Sequence, residues 1–175
     1  YIYFNNIKYH MKVILTAMSV LLVFGACKKE NSCPYAKPTV TATSNEILVL
    51  QNYLQMNSIT ATQDGSGLFY AVTSNGQGAV PAMCSFVTVK YKGSILTTGA
   101  IFDSTATGAT ASFELGGLIN GWKYGLPKIK PGGKISLFIP PSLGYGSTPV
   151  SNPYGAVIIP ANSYLRFDVE LVNVE

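Results

Sequence analysis

Two spacings of apolar residues run through the chain. From residue 87 onward a two-residue period dominates: Val87, Val89 and Tyr91 alternate with Thr88, Lys90 and Lys92, and Ile135, Leu137 and Ile139 alternate with Lys134, Ser136 and Phe138. Near the end Leu165, Phe167, Val169 and Leu171 alternate with Arg166, Asp168 and Glu170. Successive side chains of a strand point to opposite faces, so this alternation predicts three strands with one face toward a core and the other toward water. Phe138 breaks the pattern by placing an aromatic ring on the side expected to face water. A further strand is predicted at Leu68 to Val72, between the turn-forming runs Asp64-Gly65-Ser66-Gly67 and Ser74-Asn75-Gly76-Gln77-Gly78.

Helical spacing occurs twice. Ile47, Leu50 and Leu54 follow Thr43-Ser44-Asn45-Glu46, in which Thr43 and Glu46 have the separation of a capping box. The narrow apolar stripe predicts a helix that packs against the domain after it, with a dimerisation arm as the alternative. Ile119, Trp122 and Leu126 stand at i, i+3 and i+7, which predicts one short helix lying on the sheet and ended by Pro127. Together these elements predict an α+β domain: an antiparallel sheet wrapped around one short helix, preceded by a short N-terminal helix.

The first 27 residues read as an address and not as part of that domain. Met11-Lys12 opens a 12-residue apolar run, Val13 to Phe24, which ends in Gly25-Ala26-Cys27. This is the pattern of a bacterial secretory signal with lipoprotein cleavage before Cys27, and Tyr1 to His10 then lie upstream of the true start. A helix that spans a bilayer needs roughly 17 to 25 residues, so the run is too short for one. Acyl chains on Cys27 are the expected membrane anchor, with Lys28-Lys29-Glu30-Asn31 as the charged tether. The expected organisation is 1–27 signal, 28–67 linker and N-terminal helix, and 68–175 folded domain. The expected location is the cell envelope, on the periplasmic or outer-membrane face.

Composition excludes several functions. Charged residues make up 11% of the chain against 47% apolar, which argues for a packed domain and against a disordered polyelectrolyte. The formal charge of +4 falls to +2 when Lys8 and Lys12 leave with the signal, and no basic cluster marks a nucleic-acid face. The one histidine, His10, lies in the signal region, so the expected domain has no imidazole base for a serine or cysteine nucleophile and no zinc ligand set. Gly76-Gln77-Gly78 lacks the third glycine of a dinucleotide loop. No metal and no cofactor are expected. Cys33 and Cys84 remain open between one disulfide and two free thiols.

The motifs from residue 79 to 175 resemble an FKBP-type peptidyl-prolyl cis-trans isomerase domain. The resemblance rests on an ordered series: Val87-Thr88-Val89-Lys90-Tyr91-Lys92-Gly93, Gly99-Ala100-Ile101-Phe102-Asp103-Ser104, Phe113-Glu114-Leu115-Gly116, Leu118-Ile119-Asn120-Gly121-Trp122, Gly125-Leu126, Gly132-Gly133-Lys134, Ile139-Pro140, Leu143-Gly144-Tyr145-Gly146 and Ile159-Pro160-Ala161-Asn162. It implies a half-barrel of five or six antiparallel strands around a short helix. It also implies rotation about Xaa-Pro bonds in an aromatic pocket, with Trp122 as the floor and Tyr91, Phe102, Leu118, Ile119, Ile159 and Phe167 as walls. The Asp103 carboxylate, the Tyr145 hydroxyl and the Ile119 N–H are the implied polar groups. Proline-containing polypeptides are the implied partners, and macrolides of the immunosuppressant type are implied ligands.

Two departures weaken one wall. Ala111 stands where the family often has an aromatic residue, and no arginine to partner the aspartate occurs from Thr105 to Thr110. Lower turnover is therefore expected, and the rival reading is a module that binds proline peptides or unfolded chains without isomerising them. The loop from Ser147 to Val157, with Pro149, Pro153 and Tyr154, is too short to hold a separate chaperone domain.

Overall fold

The computed structural model describes residues Cys33 to Glu175. The signal sequence and the acylation expected at Cys27 lie outside the described residues. Helix α1 (Ser44–Met56) starts with the capping box read from the sequence: the Thr43 hydroxyl accepts from the Glu46 N–H at 3.3 Å, and the Glu46 carboxylate accepts from the Thr43 N–H at 2.8 Å. Both bonds satisfy N–H groups that the first helical turn leaves without partners.

Among the described residues, eleven helices and strands follow the chain order α1, β1 (Thr62–Gln63), β2 (Phe69–Ser74), β3 (Phe86–Ile95), β4 (Ile101–Ser104), β5 (Ala111–Glu114), α2 (Asn120–Gly125), β6 (Lys134–Ile139), β7 (Val150–Ser151), β8 (Val157–Ile159) and β9 (Leu165–Val174). The main sheet runs β1-β2-β6-β9-β3-β4, and β5 also pairs with β3. Every pairing is antiparallel. β7 and β8 form a separate two-stranded ribbon, so the loop expected after Tyr145 carries a hairpin.

β4 and β5 share one edge of β3. β5 covers Phe86 to Val89 and β4 covers Lys92 to Ser94, leaving Lys90 and Tyr91 between them. Thr105 fills that gap, its N–H donating to the Tyr91 carbonyl at 3.0 Å and its hydroxyl accepting from the Tyr91 N–H at 3.2 Å. The chain thereby crosses from β4 to β5 beside the Tyr91 side chain.

Burial follows the alternation. Val87, Val89, Ile135, Leu137, Ile139, Leu165, Phe167, Val169 and Leu171 form the inner core with Trp122 and Leu126. Helix α2 lies flush on β6 because its sheet-facing positions are glycines: a Cβ at Gly121 would stand 2.5 Å from Ile139, and one at Gly125 2.5 Å from Leu137. The α-helix ends at Gly125, and Pro127 sits inside a following 3₁₀ turn, Leu126–Lys128.

Phe138 has a physical explanation. It is 1% exposed because α1 covers the outer face of the sheet there, packing Leu50 and Leu54 against Phe69, Leu96 and Phe138. Both faces of β6 are therefore buried near its end, and strict alternation cannot hold.

Candidate functional site

A cavity of about 270 Å³ opens beside the N-terminus of α2. β3 contributes Tyr91, β5 contributes Phe113 and β9 contributes Phe167, while the turn into α2 supplies Gly117, Leu118 and Ile119 and the helix supplies Trp122. Asp103 of β4 and Tyr145 of the loop after β6 add the polar atoms. The rings interlock edge to face. The Trp122 centroid lies 5.5 Å from Tyr91, 6.3 Å from Phe113 and 5.3 Å from Phe167, with interplanar angles of 84°, 85° and 85°. Such packing sets positive ring edges against negative ring faces and fixes the shape of the hollow.

Two hydroxyls and one carboxylate border this apolar space. The Tyr91 hydroxyl donates to Asp103 Oδ2 at 2.6 Å. Burial first, and that hydrogen bond second, hold the Tyr91 hydroxyl well above the usual tyrosine range. The Tyr145 hydroxyl is also pushed up, by burial and then by the Asp103 charge. Both hydroxyls therefore keep their protons at neutral pH. Among the described residues no side-chain or backbone acceptor takes the Tyr145 hydroxyl, and none takes the Ile119 N–H, which stands at the cap of α2. The hollow thus combines desolvating rings with two free donors.

The sequence pattern of FKBP-type peptidyl-prolyl cis-trans isomerases matches residues 78–172. The chain belongs to that family. It is 46% identical over 111 residues to the FKBP-type peptidyl-prolyl cis-trans isomerase FkpA of Escherichia coli K12, covering 63% of this chain and 38% of that protein. It is 39% identical over 130 residues to the FkpA of Buchnera aphidicola subsp. Schizaphis graminum, covering 73% of this chain and 48% of the relative. The crystal structure of FkpA from Escherichia coli superposes with a TM-score of 0.62 at 38% identity, covering 75% of this chain and 60% of that one. The chain spans under half the length of the curated relatives it matches.

Within this FKBP-type domain, most positions implied by the resemblance converge on the hollow: Tyr91, Asp103, Leu118, Ile119, Trp122, Tyr145 and Phe167 all line it. Phe102 and Ile159 do not. Phe102, half-buried, packs edge-on against Phe167, centroids 5.5 Å apart, with both rings lying over Gly93, where a Cβ would come within 2.7 Å of each. Ile159 is 2% exposed in the core and pairs with Val150 in the β7–β8 ribbon. Phe113 was not foreseen as a wall. Its signal was its place two residues after Ala111, which puts both on the same face of β5, opposite Val87 and Val89. Phe113 therefore walls the side that Ala111 leaves short.

Cys33 and Cys84 are joined as a disulfide. No helix among the described residues is long and apolar enough to cross a membrane. A larger open groove of about 430 Å³ lies outside the sheet, bordered by Lys90, Lys92, Lys134, Asp168 and Glu170. It carries the Lys90–Glu170, Lys134–Glu170 and Lys92–Asp168 ion pairs and has the character of a solvated charged face.

Proposed function

We propose that the chain catalyses cis-trans rotation about Xaa-Pro bonds of polypeptides folding in the bacterial cell envelope, using the hollow above Trp122. The observation that carries this reading is the pairing of four interlocked aromatic rings with two unpartnered donors in one cavity of about 270 Å³. The envelope location rests on the signal-like start of the sequence and on the Cys33–Cys84 disulfide, since disulfides persist in oxidising compartments. Acylation of Cys27 is the proposed anchor. Mass analysis of the mature N-terminus tests it, and an unmodified Cys27 refutes it.

The chemistry follows from what resists rotation. Resonance between carbonyl and imide nitrogen sets a barrier of about 18–20 kcal/mol, so the unaided step takes tens to hundreds of seconds. At the twisted transition state the C–N bond loses double-bond character and the amide loses charge separation. Water favours the planar, more polar ground state, whereas walls of Tyr91, Phe113, Trp122 and Phe167 favour the twisted one. The proline ring sits on the Trp122 indole. The Tyr145 hydroxyl and the Ile119 N–H donate to the substrate carbonyl in its rotated position, bonds that the planar form does not make there, each stabilising the twisted form by about 0.5–1.5 kcal/mol. Asp103, through the Tyr91 hydroxyl, orients the ring that closes the wall beside it. No proton is transferred and no covalent intermediate forms.

A protease-coupled assay on Xaa-Pro peptides decides the matter. Acceleration above buffer that a macrolide of the immunosuppressant type suppresses is the expected result. Peptide binding without acceleration replaces this reading with the binding module, for which half-buried Ala111 is the structural argument.

A further inference from the structure

Residues 33–56 lie before the region that carries the family pattern, yet they touch both chain segments that bring donors to the hollow. The first contact is a carboxylate. Besides capping α1, Glu46 accepts the Ser142 N–H on Oε1 at 2.9 Å and the Ser142 hydroxyl on Oε2 at 2.9 Å. Ser142 lies in the 3₁₀ turn Pro141–Leu143, three residues before Tyr145. That turn is tied to the Tyr145 backbone by the Gly144 N–H and the Gly146 N–H, which both donate to the Pro141 carbonyl, at 3.0 and 2.9 Å. Burial pushes the Glu46 carboxyl up, but hydrogen bonds from Thr43 and Ser142 outweigh it and leave the carboxyl below the usual range, so Glu46 is an anion that only accepts.

The second contact is a ring. Tyr35 lies against Gly116, where a Cβ would run into the ring, and its hydroxyl donates to Glu114 Oε2 at 3.1 Å. Cys33, two residues earlier, is bonded to Cys84. The flanking residues of Cys84 hold the same turn, since the Leu115 N–H donates to the Ser85 carbonyl at 3.0 Å and the Gly116 N–H to the Met83 carbonyl at 2.7 Å. Gly117, Leu118 and Ile119 come next in the chain and line the hollow.

We propose that residues 33–56 brace the site, with Glu46 as a positioning residue that fixes the turn carrying Tyr145 and Tyr35 as its counterpart under the turn carrying Ile119. The proposal rests on the isomerase reading for its effect on turnover, but not for its effect on the turn itself. Glu46 is suited to the task because four donors converge on its two oxygens. A glutamine keeps one acceptor oxygen and sets an NH₂ group against donors, so Glu46→Gln breaks the contact with little change in volume.

The test uses the full chain and the variants Glu46→Gln and Ser142→Ala, the second removing only the hydroxyl bond. Hydrogen exchange at Gly144 and Gly146 is expected to quicken in Glu46→Gln by about tenfold, in line with the loss of about one hydrogen bond to an anion. Under the isomerase reading, kcat/KM falls by no more than the loss of about two- to fivefold expected for Tyr145→Phe, with the melting transition still cooperative, and Ser142→Ala falls less. In a Tyr145→Phe background Glu46→Gln then has little further effect, because both changes remove the same contribution. Unchanged exchange at Gly144 and Gly146 overturns the brace, as does a Glu46→Gln loss that persists in full in the Tyr145→Phe background. A wild-type chain that shows no isomerisation overturns the functional reading alone, and the exchange measurement still decides the brace.

Discussion

Replacing Trp122 by alanine separates desolvation from mere shape. The indole is 4% exposed and meets three other rings edge-on, so its removal takes away both the floor of the hollow and part of the inner core. A buried tryptophan truncated to alanine costs about 3–5 kcal/mol of stability, and the assay must therefore run well below the melting transition. Near 10 °C the uncatalysed rotation takes minutes, which also favours the measurement. The effect on turnover has a separate origin. A proline ring presents three methylenes worth about 0.8 kcal/mol each when fully desolvated, about 2.4 kcal/mol together. If the floor supplies between half and all of that, its loss raises the barrier by about 1.2–2.4 kcal/mol, which slows kcat/KM by about 8- to 60-fold. The readout is the protease-coupled rate per folded molecule, with folding checked by circular dichroism in the same buffer. A folded variant within twofold of wild type refutes the argument that exclusion of water drives the rotation.

Further outcomes follow from the geometry. Asp103→Ala frees the Tyr91 hydroxyl and is expected to lower kcat/KM about five- to tenfold in the same assay, whereas Tyr145→Phe, which deletes one hydrogen bond at a rim 38% exposed, costs about two- to fivefold. Tyr91 and Tyr145 hold their protons more tightly folded than unfolded, so their contribution to stability is complete below pH 10 and is lost as the pH rises through the folded values; denaturant midpoints measured from pH 8 to 11 should fall only above 10. Leu50→Ala, at a residue with no exposure, is expected to destabilise by about 3 kcal/mol in denaturant titration. A fragment 79–175 loses α1 and β2 together, which uncovers Phe138 and the β6 edge, and it is expected to melt well below the full chain.

The inner face of the sheet was legible because each of its strands keeps one wet side, so the two-residue period survives in Val87 to Lys92 and Leu165 to Glu170. It failed at Phe138 because a second layer, α1, covers the far side, and no local pattern in β6 announces a helix some ninety residues upstream. Tyr91, Trp122 and Tyr145 were recoverable through the family resemblance, since nothing in their spacing brings residues from β3, α2 and a loop to one point. Phe102 and Ile159 lie outside the lining of the hollow, one half-buried against Phe167 and the other in the core, because resemblance transfers the identity of a residue but not where its side chain comes to rest. Glu46 was read only as a helix cap. Its bonds to Ser142 cross 96 positions of sequence and have no local signature.

The sheet ends in short strands, with β1 of two residues at one edge and β4 and β5 of four residues each at the other. An unpaired strand offers a ladder of free amide and carbonyl groups to any passing chain, and the risk grows with its length. A protein that meets incompletely folded clients at close range would seed their aggregation if it presented a long straight border. Here each border is interrupted after a few residues, so under the proposed function a client would enter the hollow without being recruited as an extra strand.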